Sequence, residues 1–331
     1  MIIENNRKMK YPNFKVLVRC NTYNQSKFVT ETLDGFTMQQ TNFPFVCCIT
    51  DDASTDGEQE VIRQYVEDHF IIEEERCQDT DDYKMIYAQH RDNKNCYFAV
   101  YYLKYNHYRK KSKIPYIQDF RNICKYEAIC EGDDYWILDS KLQKQYDVLE
   151  KNDNYSFCVH AFYKLKNGVL EKGEPFLENS FEFGTQEMLH HWLTQPLTSL
   201  YRLDVFPSVE ETSKYKNYMD NHMFYLMLLK GKGYNIGEYM GVYRISGEGV
   251  WTSISNLSRY KSDVVSYKEL YEHHKDDYLM KKLISVYSTY VYLSIKSHTK
   301  YEALPFSLLG LKGYCIAYLK VVKKLIFGMS Y

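Results

Sequence analysis

FVCCITDDASTDGEQEVIRQYV, residues 45–66, changes character twice within a few positions. Residues 45–50 are apolar without alternation, the pattern of a strand covered on both faces of a parallel sheet. Asp51-Asp52-Ala53-Ser54-Thr55-Asp56-Gly57 ends that run, and Val61, Ile62, Tyr65, Val66 and Phe70 then recur at helical spacing. Thr55 with Glu58 three residues later predicts a capping box at the helix start. The stretch reads as strand, acidic turn, helix. Upstream, residues 14–20 form another apolar-rich run, Asn21-Thr22-Tyr23-Asn24 a polar turn, and Phe28, Val29, Thr32, Leu33 and Phe36 a helical face. Two such units in succession indicate an α/β domain with a parallel sheet. Ligands of such sheets bind beyond the carboxyl ends of the strands, where both polar turns lie.

Downstream, residues 126–130 read as another buried strand, and it too ends in acids: Glu131-Gly132-Asp133-Asp134-Tyr135-Trp136. Residues 141–150 predict a helix. The segment 73–118 is polar and Tyr-rich and yields no assignment; it holds the basic run Arg109-Lys110-Lys111-Ser112-Lys113, a pattern common in solvated loops. From 157 to 250 short strands and loops are expected, with a helix over about 221–230, and beyond 255 the pattern is helical. There is no internal repeat and no low-complexity tract.

Composition bounds the rest. The 331 residues carry 42 Lys+Arg against 43 Asp+Glu, a net charge of −1, which argues against nucleic-acid binding through a concentrated basic face. Hydrophobic residues at 45% and charged residues at 26% fit a packed globular chain. The 34 tyrosines reflect either coding bias or a surface that stacks on sugar rings. The nine cysteines include no C-x-x-C pair, and several sit in apolar runs, so a reducing compartment is expected. The first residues lack an apolar signal core, and no window of about 18 uninterrupted apolar residues predicts a membrane span.

Three acidic positions follow or approach predicted strand ends: Asp51/Asp52, Glu131/Asp133/Asp134 and Asp220. Carboxylates gathered at the ligand edge of a sheet are costly unless something positive binds them. Hard divalent ions such as Mg²⁺ or Mn²⁺ prefer such oxygens and are commonly shared with substrate phosphates. Capping of the following helices is the competing explanation, strongest for the isolated pair Asp51-Asp52.

VLVRCNTYN (16–24), DDASTDG (51–57) and EGDDYW (131–136) together resemble three successive signatures of family 2 glycosyltransferases, which have the GT-A fold. QPLTSLYR (195–202), Tyr218-Met219-Asp220 and VYRISGEGVWT (242–252) continue the resemblance in order. It implies an α/β, Rossmann-like GT-A domain over 10–252, with a mixed, mostly parallel sheet and flanking helices, and a helical C-terminal extension over 253–331. It implies that Thr22, Tyr23 and Asn24 contact the donor nucleotide, with Asp51, Asp52 and Glu131 beside them and Asp51 accepting a hydrogen bond from the base. Glu131 and Asp133 match the family's D-x-D element, whose second acid binds the metal on the donor diphosphate. The first acid is Glu here, which keeps the charge and lengthens the arm. Asp220 matches the general base; as a residue ahead of an apolar helix it also reads as an N-cap. Asp134, Trp136, Thr198, Ser199, Arg244 and Trp251 would position donor or acceptor. Two departures stand out: Ser246 replaces a His that relatives often carry, and no Arg aligns ahead of the D-x-D strand, leaving 109–113 as a candidate beside its reading as a solvated loop.

The implied activity is transfer of a sugar from a nucleotide diphosphate sugar, UDP-linked in the usual case, to a glycan or lipid-linked glycan. It would proceed by metal-assisted (Mn²⁺ or Mg²⁺) single displacement with inversion, in the setting of bacterial surface-polysaccharide assembly. A nucleotidyltransferase shares the strand-end acids but normally shows a Gly-rich basic loop after the first strand, which 21–25 is not. A non-catalytic nucleotide-sugar-binding module is the third class. Adjacent pairs His190-His191 and His273-His274 do not suit one metal. Over 308–327, Lys312, Lys320, Lys323 and Lys324 share one arc of a helical wheel, and Leu311, Tyr318, Val321, Val322, Leu325 and Ile326 cover the other. That pattern reads either as an interfacial helix or as a helix docked on its own core. The expected setting is the cytoplasm, with peripheral contact at the inner face of the membrane through 308–327.

Overall fold

The computed structural model of the chain describes residues 11–174, 178–247 and 254–327, which fall into two compact units. The first unit comprises residues up to 182 together with 195–205 and 233–244.

Its centre is a run of four parallel strands. β1 (Val16–Thr22) lies between β2 (Phe45–Asp51) and the later β7 (Tyr126–Ile129), and β2 pairs in turn with β6 (Cys96–Leu103). All seven residues of β2 are buried, which is why its sequence does not alternate. The pleat still sorts the side chains. Phe45, Cys47 and Ile49 enter one core with Val29, Leu33 and Phe36 of α1 (Val29–Thr37), Ile62 and Val66 of α2 (Glu58–His69) and Leu142 and Leu149 of α4 (Lys141–Lys151). Val46 and Cys48 enter the other with Phe14, Tyr87, Tyr101 and, from the short α3 (Gln118–Ile123), Phe120.

The segment that resisted sequence reading supplies one wing. β3 (Phe70–Ile72), β4 (Gln78–Asp79) and β5 (Tyr83–His90) add antiparallel strands beside β6. Tyr87 and Tyr101 are buried there, Tyr87 stacking between Tyr97 and Phe120. Part of the tyrosine excess is therefore core rather than a sugar-stacking surface. On the other side follow β9 (Tyr155–Lys166), β10 (Val169–Lys172), β11 (Phe181–Phe183), β12 (Leu200–Arg202) and β13 (Lys232–Ile245). The described order is β11-β13-β9-β12-β7-β1-β2-β6-β5-β3, with β10 on β9, β4 on β5 and the two-residue β8 (Tyr135–Trp136) on β13. The mixed sheet with flanking helices is the one expected, its parallel part lying at the strand ends that carry the acids.

The second unit is helical: α5 (Thr185–His190), α6 (Val209–Thr212), α7 (Asp220–Leu228), α8 (Asn256–His274), α9 (Asp277–Lys296) and α10 (Phe306–Phe327). α9 packs against both α8 and α10. Every residue of α7 after Asp220 is buried, and the helix contacts α5 and α8. A helix apolar all round needs covering on every side, so the segments 183–194 and 206–232 belong with the C-terminal helices. The expected boundary at 252 does not follow this division.

Candidate functional site

The strand register brings the acidic turns together in the first unit. Thr22 is paired with Asp51, and Asp51 with Tyr102, so β1, β2 and β6 end level. β7 stops beside Arg19, and the chain after it runs along the last residues of β1: Cys130 N donates to Arg19 O (3.1 Å), Gly132 N to Asn21 O (3.1 Å), and Asn21 N to Glu131 Oε2 (3.1 Å). The 131–134 turn therefore lies against the 21–25 turn. Gly132 makes the approach possible, because a Cβ there would land on Thr22 Oγ1 and Gln25 Oε1. Thr32 of α1, fully buried, donates toward Gly132 O (2.9 Å) and Asp134 O (2.7 Å) and fixes the turn from below.

The predicted capping box does not form. Gly57 occupies the N-cap of α2, and Glu58 is its first residue, completely buried. Its Oε2 accepts from Gln25 N (2.9 Å) and Ser54 Oγ (2.8 Å), and its Oε1 meets Thr22 Oγ1. Asp56 takes over the helix start, accepting from Glu58 N (3.1 Å) and Ser26 N (2.9 Å). Asn24, in the left-handed region (φ 54°), joins the same web through Ser54 Oγ and Thr55 N. Glu58 was legible only as a cap because two of its partners, Thr22 and Gln25, lie more than thirty positions away.

Asp51 and Asp52 point to different partners, and the left-handed Ala53 (φ 61°) follows them. Asp51 is fully buried. Its Oδ1 accepts from Gln59 Nε2 (2.5 Å) and Ser54 N (3.1 Å), whereas its Oδ2 has no hydrogen-bond partner. Burial raises its pKa, the hydrogen bonds offsetting part of the effect. Asp52 is held by His107 N (2.7 Å to Oδ1) and by Lys113 Nζ (2.8 Å to Oδ2). The basic run thus reaches the site. Arg109 and Lys113 line a cavity of about 240 Å³ together with Arg19, Asn21 and Thr50. A larger cavity, about 420 Å³, opens beside Phe14, Lys15 and Lys125, at the amino-terminal ends of β1 and β7, and holds none of these acids.

In the 131–134 turn the carboxylates differ in what holds them. Asp134 is buried, with Oδ1 accepting from Arg244 N (2.9 Å); burial and then the Asp133 charge push its pKa well up. Asp133 is half-buried, and burial raises its pKa against the opposing pull of Arg244 and a Gln25 hydrogen bond. Arg244 on β13 donates from Nε to Asp133 O (2.9 Å), pairs with Glu31 and lies 4.6 Å over the Phe28 ring. It staples the acidic turn to α1.

Thr22, Tyr23, Asn24, Asp51, Asp52, Glu131, Asp133, Asp134 and Arg244 thus share one rim, with Tyr23 exposed. Three other expected residues do not face it as side chains. Trp136 is buried, its Nε1 donating to Leu197 O (3.0 Å) and its ring capped by Lys141 Nζ (3.8 Å). Thr198 and Ser199 are also buried, their hydroxyls donating to Gln195 O (2.7 Å) and Pro196 O (2.8 Å) within a 3₁₀ turn. All three work as scaffold. Trp251 lies outside the described residues. Asp220 belongs to the second unit, exposed as the first residue of α7; the N-cap is Met219, one position earlier than expected. That helix start is tied down by Ser266 of α8, which bonds Asn221 Oδ1 (2.7 Å) and His222 Nδ1 (3.1 Å). Buried, His222 has its pKa pushed down to about 4.

No protein-family profile matches the chain. It is 25% identical over 238 residues to an uncharacterized protein of Mycobacterium bovis and to counterparts in Mycobacterium tuberculosis, covering 70% of this chain and 59% of those relatives. The chain thus spans about three-fifths of the length of the curated relatives it matches. Among solved structures it is similar to residues 1–349 of S. aureus TarS in complex with UDP, with a TM-score of 0.58 at 16% identity over 96% of this chain and 93% of that one. The same TarS fragment with UDP-GlcNAc gives 0.54 at 17%, over 93% and 79%. The mannosyltransferase PcManGT from Pyrobaculum calidifontis, in complex with GDP-Man and Mn²⁺, gives 0.50 at 12%, over 97% and 89%.

Proposed function

From the GT-A-like glycosyltransferase fold that this chain carries, we propose that it transfers a sugar from a nucleotide diphosphate sugar, UDP-linked, to a hydroxyl of a glycan acceptor, free or lipid-linked, with inversion. The observation that carries the reading is the unpartnered Oδ2 of the fully buried Asp51 at the end of β2. A buried acceptor without a donor is costly and calls for a reason. An N–H of a pyrimidine base supplies the missing donor. The UDP and UDP-GlcNAc complexes of TarS, of similar fold, support the same donor class.

The 131–134 turn suits a hard divalent cation. Among the described residues no three His, Cys, Asp or Glu side chains form a metal cage. Asp133 with Glu131 offers one or two carboxylates, the donor set of Mg²⁺ or Mn²⁺ ions that keep waters and share substrate phosphates. The Mn²⁺ in PcManGT supports that use. Such an ion, held by Asp133 and Glu131, would supply positive charge to the departing diphosphate.

In the step itself the acceptor oxygen bonds to the anomeric carbon as the bond from that carbon to the diphosphate oxygen breaks, and the nucleoside diphosphate leaves with the electron pair. The acceptor proton passes to Asp220, an exposed carboxylate at the start of α7. One such base typically contributes about 10²- to 10⁴-fold. A single displacement inverts the anomeric configuration. A screen of nucleotide sugars for hydrolysis and transfer, with Mn²⁺ and with Mg²⁺, tests the reading. Turnover of a UDP-sugar that ceases on chelation is expected; if no nucleotide sugar binds or turns over, the reading fails.

A further inference from the structure

α10 presents two faces that the sequence could not separate. Leu309, Gly313, Ala317 and Val321, spaced four residues apart, are the buried ones, and the helix packs by them against α9. The stripe is small, so the bulky side chains are left on the outside. Leu311 is 70% exposed, Tyr318 69%, Leu319 65% and Ile326 66%. Past the bend at Gly310 (φ 63°), a helical wheel of 100° per residue puts Leu311, Cys315, Tyr318, Val322, Leu325 and Ile326 on one continuous arc. Lys312 and Lys323, also exposed, border that arc on one side, while Lys320 and the partly buried Lys324 lie further round, toward the buried stripe. No Asp or Glu occurs anywhere from 303 onward. Val321, grouped with the outer apolar residues by its sequence pattern, belongs to the inner stripe.

We infer that the outer face of α10 docks on the surface of an anionic lipid bilayer, with the helix lying in the plane of the interface. The inference is independent of the donor reading. Exposed bulky apolar side chains bordered by lysines are the composition of an interfacial helix, apolar groups entering the acyl boundary while the ammonium groups meet lipid phosphates. No described helix is long and apolar enough to cross a membrane, which fits lying on it. A second copy of the helix fits less well. Leu311, Cys315, Tyr318, Val322 and Leu325 do alternate steps of four and three, as in a two-helix seam. Pairing two copies would, however, bring lysines together with no acid on either α10 to meet them, whereas an anionic surface neutralises them all.

The test uses the whole chain and vesicles of phosphatidylcholine, alone or with about 30% phosphatidylglycerol, read by co-sedimentation at low salt and at high salt. The expected result is partition to the anionic vesicles at least about tenfold stronger than to the neutral ones, weakened by salt. Lys312→Gln with Lys323→Gln is expected to reduce it by about 30-fold. Leu311→Ser with Tyr318→Ser and Leu325→Ser is expected to reduce it at least about tenfold by removing the apolar contact. These side chains are exposed, so circular dichroism should show both variants folded, and hydrolysis of a soluble nucleotide sugar without vesicles should be unchanged. Equal binding to both vesicle types, or variants that bind like the parent, would overturn the inference. So would a concentration-dependent dimer in sedimentation velocity that the Leu311/Tyr318/Leu325 variant abolishes while the parent ignores vesicles.

Discussion

The two units hold their proposed working acids in opposite ways. In the first, Asp51, Glu58 and Asp134 are buried and Asp133 half-buried, all with pKa values raised by burial, and the backbone around them is locked by Gly132, Thr32 and Arg244. In the second, Asp220 is exposed, while the helix behind it is buried along its whole length. Desolvated carboxylates suit binding, because a cation or an N–H recovers what burial costs them. An exposed carboxylate on a rigid mount suits proton transfer from an acceptor that arrives from solvent. On the proposed function, the difference would separate recognition from chemistry.

The sharpest way to break the contrast is Asp220→Asn. Turnover should fall by about 10²- to 10⁴-fold while donor affinity, measured by calorimetry, stays within about twofold. A loss of donor affinity with unchanged turnover would assign Asp220 to binding instead. Next in size is Gly132→Ala. The added methyl collides with Thr22, a stiff residue on a buried strand, so a stability loss of about 1–3 kcal/mol and at least a tenfold loss of donor affinity are expected. Thermal unfolding and titration check both, and an unaffected protein would mean that the two turns need not touch.

Asp51→Asn sharpens the contrast from the other side. Its folded pKa is raised, so the folded state holds the proton more tightly than the unfolded chain. Stability associated with that proton is fully present below the ordinary carboxylate pKa of about 4 and is lost as pH rises through the raised value. Glu58, Asp133 and Asp134 add in the same direction. The neutral variant should therefore be as stable as the parent or slightly more so near neutral pH, while UDP binds about tenfold more weakly for want of the acceptor. A melting-temperature series against pH, flatter for Asp51→Asn than for the parent, checks the sign; a steeper series would contradict it.

Much of this was legible where a single segment carries its own explanation. Residues 45–50 announce a doubly covered strand, and the break at Asp51 marks its carboxyl end, because burial on both faces removes alternation and solvent restores polarity at once. What was illegible depended on what surrounds a side chain in the fold. Glu58 reads as a cap until Thr22, Gln25 and Ser54 surround it. Tyr83–His90 and Cys96–Leu103 look polar because tyrosine fills positions that other sheets give to Val or Ile. Trp136, Thr198 and Ser199 belong to stretches that resemble donor-positioning motifs, yet their polar atoms are taken up by Leu197, Gln195 and Pro196. In α10 the residues on the inner stripe are the small ones, a choice that hydropathy alone does not register.

The central claim is that the acids at the ends of β2 and β7 hold a nucleotide diphosphate through a base contact and a shared divalent cation. Calorimetric titration of UDP, with and without Mn²⁺, against the parent protein and Asp133→Asn measures it most directly. Mn²⁺ should tighten UDP binding to the parent by at least about tenfold and leave Asp133→Asn, whose metal-free affinity is preserved, without that gain. If Mn²⁺ tightened UDP equally in both proteins, or UDP bound neither, the account would be contradicted.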